Sequence, residues 1–260
     1  NKIPYQEIKW YHAAAPGFLL LLTRFGVPVS TTFLVLSAFA STVILEKVLI
    51  KSVMGYGLAA IIAYTIWIVL SRYINEKFDK VENIKQWRVF QWMTTGFLWY
   101  TWLSHDMANI AVFLPRELPL TMLVAIMLLC SALLFYIFYE KGGRIQKIVL
   151  DKTGTRFVRS ATIIDGVYAF ILLYFKQYND IPMSTTWVFV GILCGRELAI
   201  ATTAADYKLG YVFPIIGKDF LKMISGLLIS VAIVLSIHYV IIPGGYEDIN
   251  FAFLESSFRF

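Results

Sequence analysis

Charge is scarce in this chain. Only 15% of its 260 residues are Asp, Glu, Lys or Arg, while 58% are hydrophobic and the mean hydropathy is +0.68. Soluble domains run nearer about 25% charged and about 45–50% apolar, so a water-soluble globular fold is excluded. Cysteine is nearly absent as well. Cys130 and Cys194 both lie in apolar runs, with no disulfide or ligand spacing, and read as small buried side chains. No HExxH, GxSxG or P-loop motif is present, so an enzyme is not expected and no cofactor is called for. A cleavable signal peptide is not visible either. The net charge of +6 does not point to nucleic acid, because the basic residues sit between apolar runs in the pattern of a positive-inside membrane protein.

What is abundant is apolar length. Segments at roughly 11–23, 27–45, 53–71, 89–113, 118–139, 161–175, 183–203 and 220–242 predict an all-α polytopic membrane protein with the lipid bilayer as its surroundings. Between them lie polar stretches at 72–88, 140–160 and 204–219, and the first reads as a solvated linker. Trp10, Trp87 and Trp92 stand near segment ends, as interfacial anchors do.

One string occurs twice. Gly26-Val27-Pro28-Val29-Ser30-Thr31-Thr32-Phe33 returns 154 positions on as Asp180-Ile181-Pro182-Met183-Ser184-Thr185-Thr186-Trp187. The apolar stretches before the strings are short, about 13–15 residues against the ~20 of a full crossing. This predicts helical hairpins over 11–45 and 161–203, each with a Pro-x-Ser-Thr-Thr tip. Lys51-Ser52-Val53-Met54-Gly55 lines up in turn with Lys222-Met223-Ile224-Ser225-Gly226, which extends the repeat.

Counting crossings puts 72–88, 140–160 and 204–219 on one side and the N-terminus, 46–52, 114–117 and the C-terminal tail on the other. The first side holds 13 Lys/Arg in its loops and the second six, so the first is cytoplasmic. The two hairpins then enter from opposite faces, as inverted repeats do.

Proline suits the turn before a helix, and Ser and Thr are strong N-cap residues. A helix beginning at either string offers free N–H groups and about half a positive charge, with hydroxyl donors beside them. Ser30, Thr31, Thr32, Ser184, Thr185 and Thr186 are therefore candidates for holding an oxyanion.

A second polar island is Ser104-His105-Asp106-Met107-Ala108-Asn109. An Asp inside a span costs roughly 2.5–3.5 kcal/mol on insertion scales. Asp106 and Asn109 are i and i+3, on one helix face, and supply hard oxygen ligands suited to Na⁺. The adjacent Ser-His-Asp is not a triad, since neighbouring helical side chains point about 100° apart. Asp165 reads as interfacial, Arg24 and Lys176 as vestibule or snorkelling cations, and Arg196 and Glu197 as residues with partners in the bundle.

On these residues the chain resembles the inorganic phosphate transporters of the PiT type. That family carries two inverted repeats, each with a Gly-x-Asn-Asp-x-x-Asn-like helix followed by Gly-x-Pro-Val-Ser-Thr-Thr-His. Gly26 to Thr32 matches the second motif closely; Asp180 to Thr186 matches with Asp for Gly; residues 105–109 look like the first, keeping Asp106 and Asn109. His105 stands where the family has Asn, and Phe33 and Trp187 where it has His.

The resemblance implies an inverted-repeat secondary transporter in the plasma (inner) membrane, a cation-coupled symporter of inorganic phosphate with Na⁺ or H⁺ as coupling ion. Phosphate would lie on the six hydroxyl residues and Na⁺ on Asp106 and Asn109. Two copies could pair as a homodimer. Sulfate or another oxyanion as cargo, and a non-transporting receptor or scaffold with the same fold, remain the alternatives. Asp106 precedes Ser184 by 78 residues, but only 29 residues precede Ser30. With no Met at position 1, the matching acidic helix is expected upstream. Residues 1–71 are then the C-terminal part of the first repeat, 72–88 a cytoplasmic linker, 89–243 the second repeat and 244–260 a tail.

Overall fold

A computed structural model describes residues 7–24, 29–36, 39, 42–77, 84–115, 117–140, 158–178, 183–203 and 209–236. These form eight helices, with no sheet among the described residues. A 3-10 turn, Trp10–Ala13, leads into α1 (Ala14–Arg24); then come α2 (Thr31–Leu36), α3 (Thr42–Lys77), α4 (Ile84–Ala111), α5 (Leu120–Tyr139), α6 (Val158–Tyr178), α7 (Thr185–Thr203) and α8 (Leu209–Ser236). Four stretches are long and apolar enough to cross a membrane: Glu46–Leu70 of α3, all of α5, Val158–Gln177 of α6, and all of α7. The prolines of both strings, the 141–157 stretch and the 237–260 tail lie outside the described residues.

Two helix pairs make the body. α3 packs along α7, and α4 along α6. In both pairs the contacts advance together in sequence, so the partners are parallel. Ser52 meets Ser184, Tyr56 meets Gly191, and Trp67 meets Arg196; Thr95 meets Asp165, Phe97 meets Phe170, and Ser104 meets Lys176. The crossing count gives the same directions for these four helices.

Small residues set the α3–α7 distance. A Cβ on Gly191 would collide with the Tyr56 carbonyl oxygen, and one on Gly195 with the Ala60 carbonyl oxygen. Ala59 and Ala63, one turn apart on α3, are fully buried at the same seam. Small residues four apart let two backbones touch where lipid offers no hydrophobic drive for association. Below this seam Tyr168, Ile171, Leu172 and Phe175 of α6 join Met183, Val188 and Ile192 in the main core.

The surface is apolar too. α5 has no buried residue, and Leu120, Phe135 and Tyr139 are each more than 70% exposed. Water would not tolerate such a helix, whereas hydrocarbon surrounds it at no cost.

Several sequence expectations need correction. Residues 46–52 are not a loop: α3 runs through them, and Lys51 and Ser52 are buried. The 27–45 segment is not one arm, since α2 ends at Leu36 and α3 starts at Thr42. The arm before the second string is not short. α6 has 21 residues, because 158–160 at one end and 176–178 at the other are helical. Residues 209–219 of the supposed 204–219 loop belong to α8, which carries Pro214 inside it. The 72–88 linker shrinks likewise, with 72–77 in α3 and 84–88 in α4.

Replacing Gly195 by Val should cost about 1–3 kcal/mol or more through overpacking, seen as a lower midpoint when purified protein is heated and the surviving monodisperse fraction is measured. Gly96→Ala, where nothing lies within 4 Å of the added carbon, should leave that midpoint unchanged or raised.

Candidate functional site: the paired helix starts

Both strings begin a helix in the same way. The Ser30 Oγ accepts the Phe33 N–H at 3.2 Å, and the Ser184 Oγ accepts the Trp187 N–H at 3.3 Å. The backbone carbonyls of both serines accept the next amides, from Leu34 at 3.1 Å and Val188 at 3.4 Å. Each serine is thus an N-cap whose side chain satisfies one of the orphan donors of a helix start. Both are buried, so water cannot do this for them.

The two starts touch. Thr32 donates to the Met183 carbonyl at 3.3 Å, and the rings of Phe33 and Trp187 lie 5.6 Å apart. Each string also leans on a long helix from the other end of the chain. α2 packs against α8, and Met223 joins Phe33 and Trp187 in one cluster. The Ser184 N–H donates to the Ser52 Oγ of α3 at 2.8 Å, and that hydroxyl donates in turn to the Val48 carbonyl at 2.7 Å.

Around the second string the polar contacts converge. Thr185 donates to the Asp106 Oδ2 at 3.0 Å, and Asn109 donates to the Asp106 Oδ1 at 3.1 Å. The Asn109 Oδ1 is buried and has no hydrogen-bond partner among the described residues. Tyr168 donates to the Thr185 carbonyl at 2.7 Å. Ser184, Thr185, Asp106 and Asn109 therefore form one cluster at the start of a 19-residue helix. The backbone N–H groups of Thr185 and Thr186, the Thr186 hydroxyl and the Ser184 hydroxyl proton make no hydrogen bond among the described residues, which leaves four donors at this start.

The first string differs. Thr32 is placed beside Met183, but α2 has only six residues, and Thr31 is half-buried with no hydrogen bond from its side chain among the described residues. No hydrogen bond joins it to an acidic residue among the described residues.

Ser104, His105 and Asp106 face three ways. Ser104 donates to the Tyr100 carbonyl and accepts from Lys176 at 3.1 Å; the His105 Nε2 donates to the Leu172 carbonyl at 2.9 Å; Asp106 serves Thr185. Asp165 accepts the Thr95 hydroxyl at 2.5 Å, between α4 and α6. Arg196 and Glu197 pair at 2.7 Å, with Arg196 over the Trp67 ring at 5.4 Å. No cluster of three or more His, Cys, Asp or Glu suited to a metal occurs among the described residues.

Sequence reasoning missed Ser52 and Tyr168 as parts of this cluster. A signal for Ser52 did exist: Val48, Ser52, Gly55, Ala59 and Ala63 recur at helical spacing and read as one stripe of small residues. No family model matches this chain, and no curated protein or solved structure matches it.

Ser52→Ala would strand the buried Ser184 N–H, so it should lower unfolding stability by about 1–2 kcal/mol. Ser52→Thr, which keeps the hydroxyl, should lose less in the same thermal measurement.

Proposed function

We propose that this chain is a cation-coupled secondary transporter of inorganic phosphate, with its anion site at the start of α7 and its cation site on Asp106 and Asn109. The observation that carries this reading is the Thr185–Asp106 hydrogen bond, which ties a helix start rich in donors to an acid inside an apolar bundle. A helix N-terminus with free amides and hydroxyls suits a tetrahedral oxyanion. A carboxylate beside an unpartnered amide oxygen suits a hard cation such as Na⁺.

The bond also gives a reason for coupling. A hydroxyl carries one proton, and Thr185 spends it on Asp106. An anion arriving at the same helix start competes for that proton. When the Asp106 carboxylate and the Asn109 oxygen hold a cation instead, Thr185 is released to donate to the anion. The charges agree: phosphate near pH 7 carries about −1.5 to −2 by analogy with phosphoryl groups, and one helix start offsets only about half a unit.

The repeated Pro-x-Ser-Thr-Thr string and the PiT resemblance of its residues support the same reading, as does the meeting of the two strings. Ser30, Thr31 and Thr32 complete the site from the other side. Sulfate is the second reading, because the donors at the α7 start recognise a tetrahedral oxyanion and not phosphorus.

In proteoliposomes, radiolabelled phosphate uptake should require an inward Na⁺ or H⁺ gradient, collapse in Ser184→Ala/Thr185→Ala, and lose its cation dependence or fall at least about tenfold in Asp106→Asn. Excess sulfate that abolishes the signal would reassign the cargo. A folded protein that moves neither anion under either gradient would turn the reading to a receptor or scaffold.

A further inference from the structure

The two helix pairs of the body are tied together at Thr185. α3 packs along α7 and α4 along α6. Inside the pairs, hydrogen bonds join each helix to its own partner: Tyr56 to Cys194 in the first pair, and Thr95 to Asp165, Lys176 to Ser104 and His105 to the Leu172 carbonyl in the second. Two hydrogen bonds that cross from one pair to the other both end on Thr185. Its hydroxyl donates to Asp106 of α4 at 3.0 Å, and its carbonyl accepts the Tyr168 hydroxyl of α6 at 2.7 Å.

α6 holds both ends of the Thr185–Asp106 bond. Tyr168 and Leu172 stand one turn apart on it. Tyr168 fixes the Thr185 backbone, while the Leu172 carbonyl accepts from the Nε2 of His105, the residue before Asp106. Tyr168 has little freedom of its own. It is 7% exposed, lies in the main core, and its ring centre is 5.8 Å from that of Phe189. A threonine hydroxyl on a fixed backbone moves only by rotation about χ1, and β-branching restricts that rotation to few states. Its single proton can go to Asp106 or to a ligand at the helix start, never to both at once. That exclusiveness is what makes cation and anion depend on each other, and it lasts only while the backbone stays in place. A start of α7 free to drift from α4 would release the hydroxyl from Asp106 with no cation there to displace it.

We propose that Tyr168 is the positioning residue of a switch that couples Na⁺ to the oxyanion: by holding the Thr185 carbonyl against α6, it keeps the Thr185 hydroxyl's choice between Asp106 and the anion exclusive. This rests on the transporter reading and deepens it. Tyr168 touches neither ion. It acts through Thr185, and what it sets is the dependence of one ligand on the other.

The test is equilibrium binding of radiolabelled phosphate or sulfate to purified protein in lipid nanodiscs at fixed pH, with and without saturating Na⁺, for the wild type, Tyr168→Phe and Tyr56→Phe. The coupling factor is the ratio of the two anion dissociation constants, and linkage requires the anion to change Na⁺ affinity by the same factor, typically about 5–150-fold. Tyr168→Phe removes one hydroxyl and keeps the ring. It should cut the factor at least about threefold in both directions, with the Na⁺-free anion affinity held or raised. Tyr56→Phe removes a hydroxyl inside the α3–α7 pair, from Cys194, and should leave the factor unchanged. Should Tyr168→Phe fail to assemble as a monodisperse species, Tyr168→Met carries the same comparison. A factor equal to the wild type's, or anion affinities with and without Na⁺ that fall together, overturns the assignment and leaves the transporter reading standing. A wild type that binds the anion with no Na⁺ effect overturns the assignment too, because there is then no Na⁺ coupling for Tyr168 to set. A wild type that binds neither phosphate nor sulfate overturns both.

Discussion

The Ser184 amide is a buried donor at a helix start, and the arrangement around it follows from satisfying such groups where no water reaches. An N–H left unpaired in an apolar interior costs several kcal/mol less the relaxation around it. Here several polar groups at the start of α7 are satisfied, most of them from other elements. Ser52 on α3 takes the Ser184 amide, the Ser184 side chain takes the Trp187 amide, Tyr168 on α6 binds the Thr185 carbonyl, and Thr32 on α2 binds the Met183 carbonyl. α2, α3 and α6 are thereby fixed around one point.

That fixing needs α3 close to α7. The collision that any side chain at Gly191 or Gly195 would suffer shows how little space separates the two backbones. With the backbones touching there, Ser52, about ten residues upstream of the Ala59–Ala63 seam, falls level with Ser184 and within 2.8 Å of it. A hydroxyl has a short reach, so a bulkier seam would move Ser52 out of range and leave the amide bare. Close packing and polar satisfaction are one requirement in this bundle.

Much of this was legible from residue order. The apolar lengths gave an all-helical chain, α5 was bounded to within two residues, and Asp106 and Asn109 at i and i+3 do share one face and one hydrogen bond. The capping role of both serines was readable from their chemistry. The fate of 46–52 was not. Glu46, Lys47, Lys51 and Ser52 between two apolar runs look like a loop to any measure that averages hydropathy, because such a measure assigns a lysine its cost in lipid and cannot see a polar cluster across the helix. The underestimate of α6 has the same origin: the helical residues left out at its two ends, 158–160 and 176–178, include Arg159, Ser160, Lys176 and Gln177, which a hydropathy average scores as loop. For 209–219 the misleading signs were Pro214, Lys218 and Asp219; the helix accepts Pro214 in its second turn, near the end where missing amides cost least.

The two copies of the string have come to differ in what their hydroxyls are free to do. In the first, Thr32 is tied to the Met183 carbonyl, and the helix it begins is only six residues long, too short to build the full end charge of a long helix. Its hydrogen bonds hold the neighbouring string in place. In the second, the corresponding Thr186 is half-buried with its hydroxyl uncommitted among the described residues, Thr185 is bonded to a carboxylate, and 19 residues of helix stand behind them. Position for position, the committed threonine differs: Thr32, the second of its pair, is tied in the first copy, and Thr185, the first of its pair, in the second. In the proposed transporter the second string, with the longer helix behind it, is then the principal anion site and the first completes it. A repeat need not be functionally symmetric to keep its shape, because the capping serine alone is enough to hold each helix start, and the two threonines after it are left to diverge.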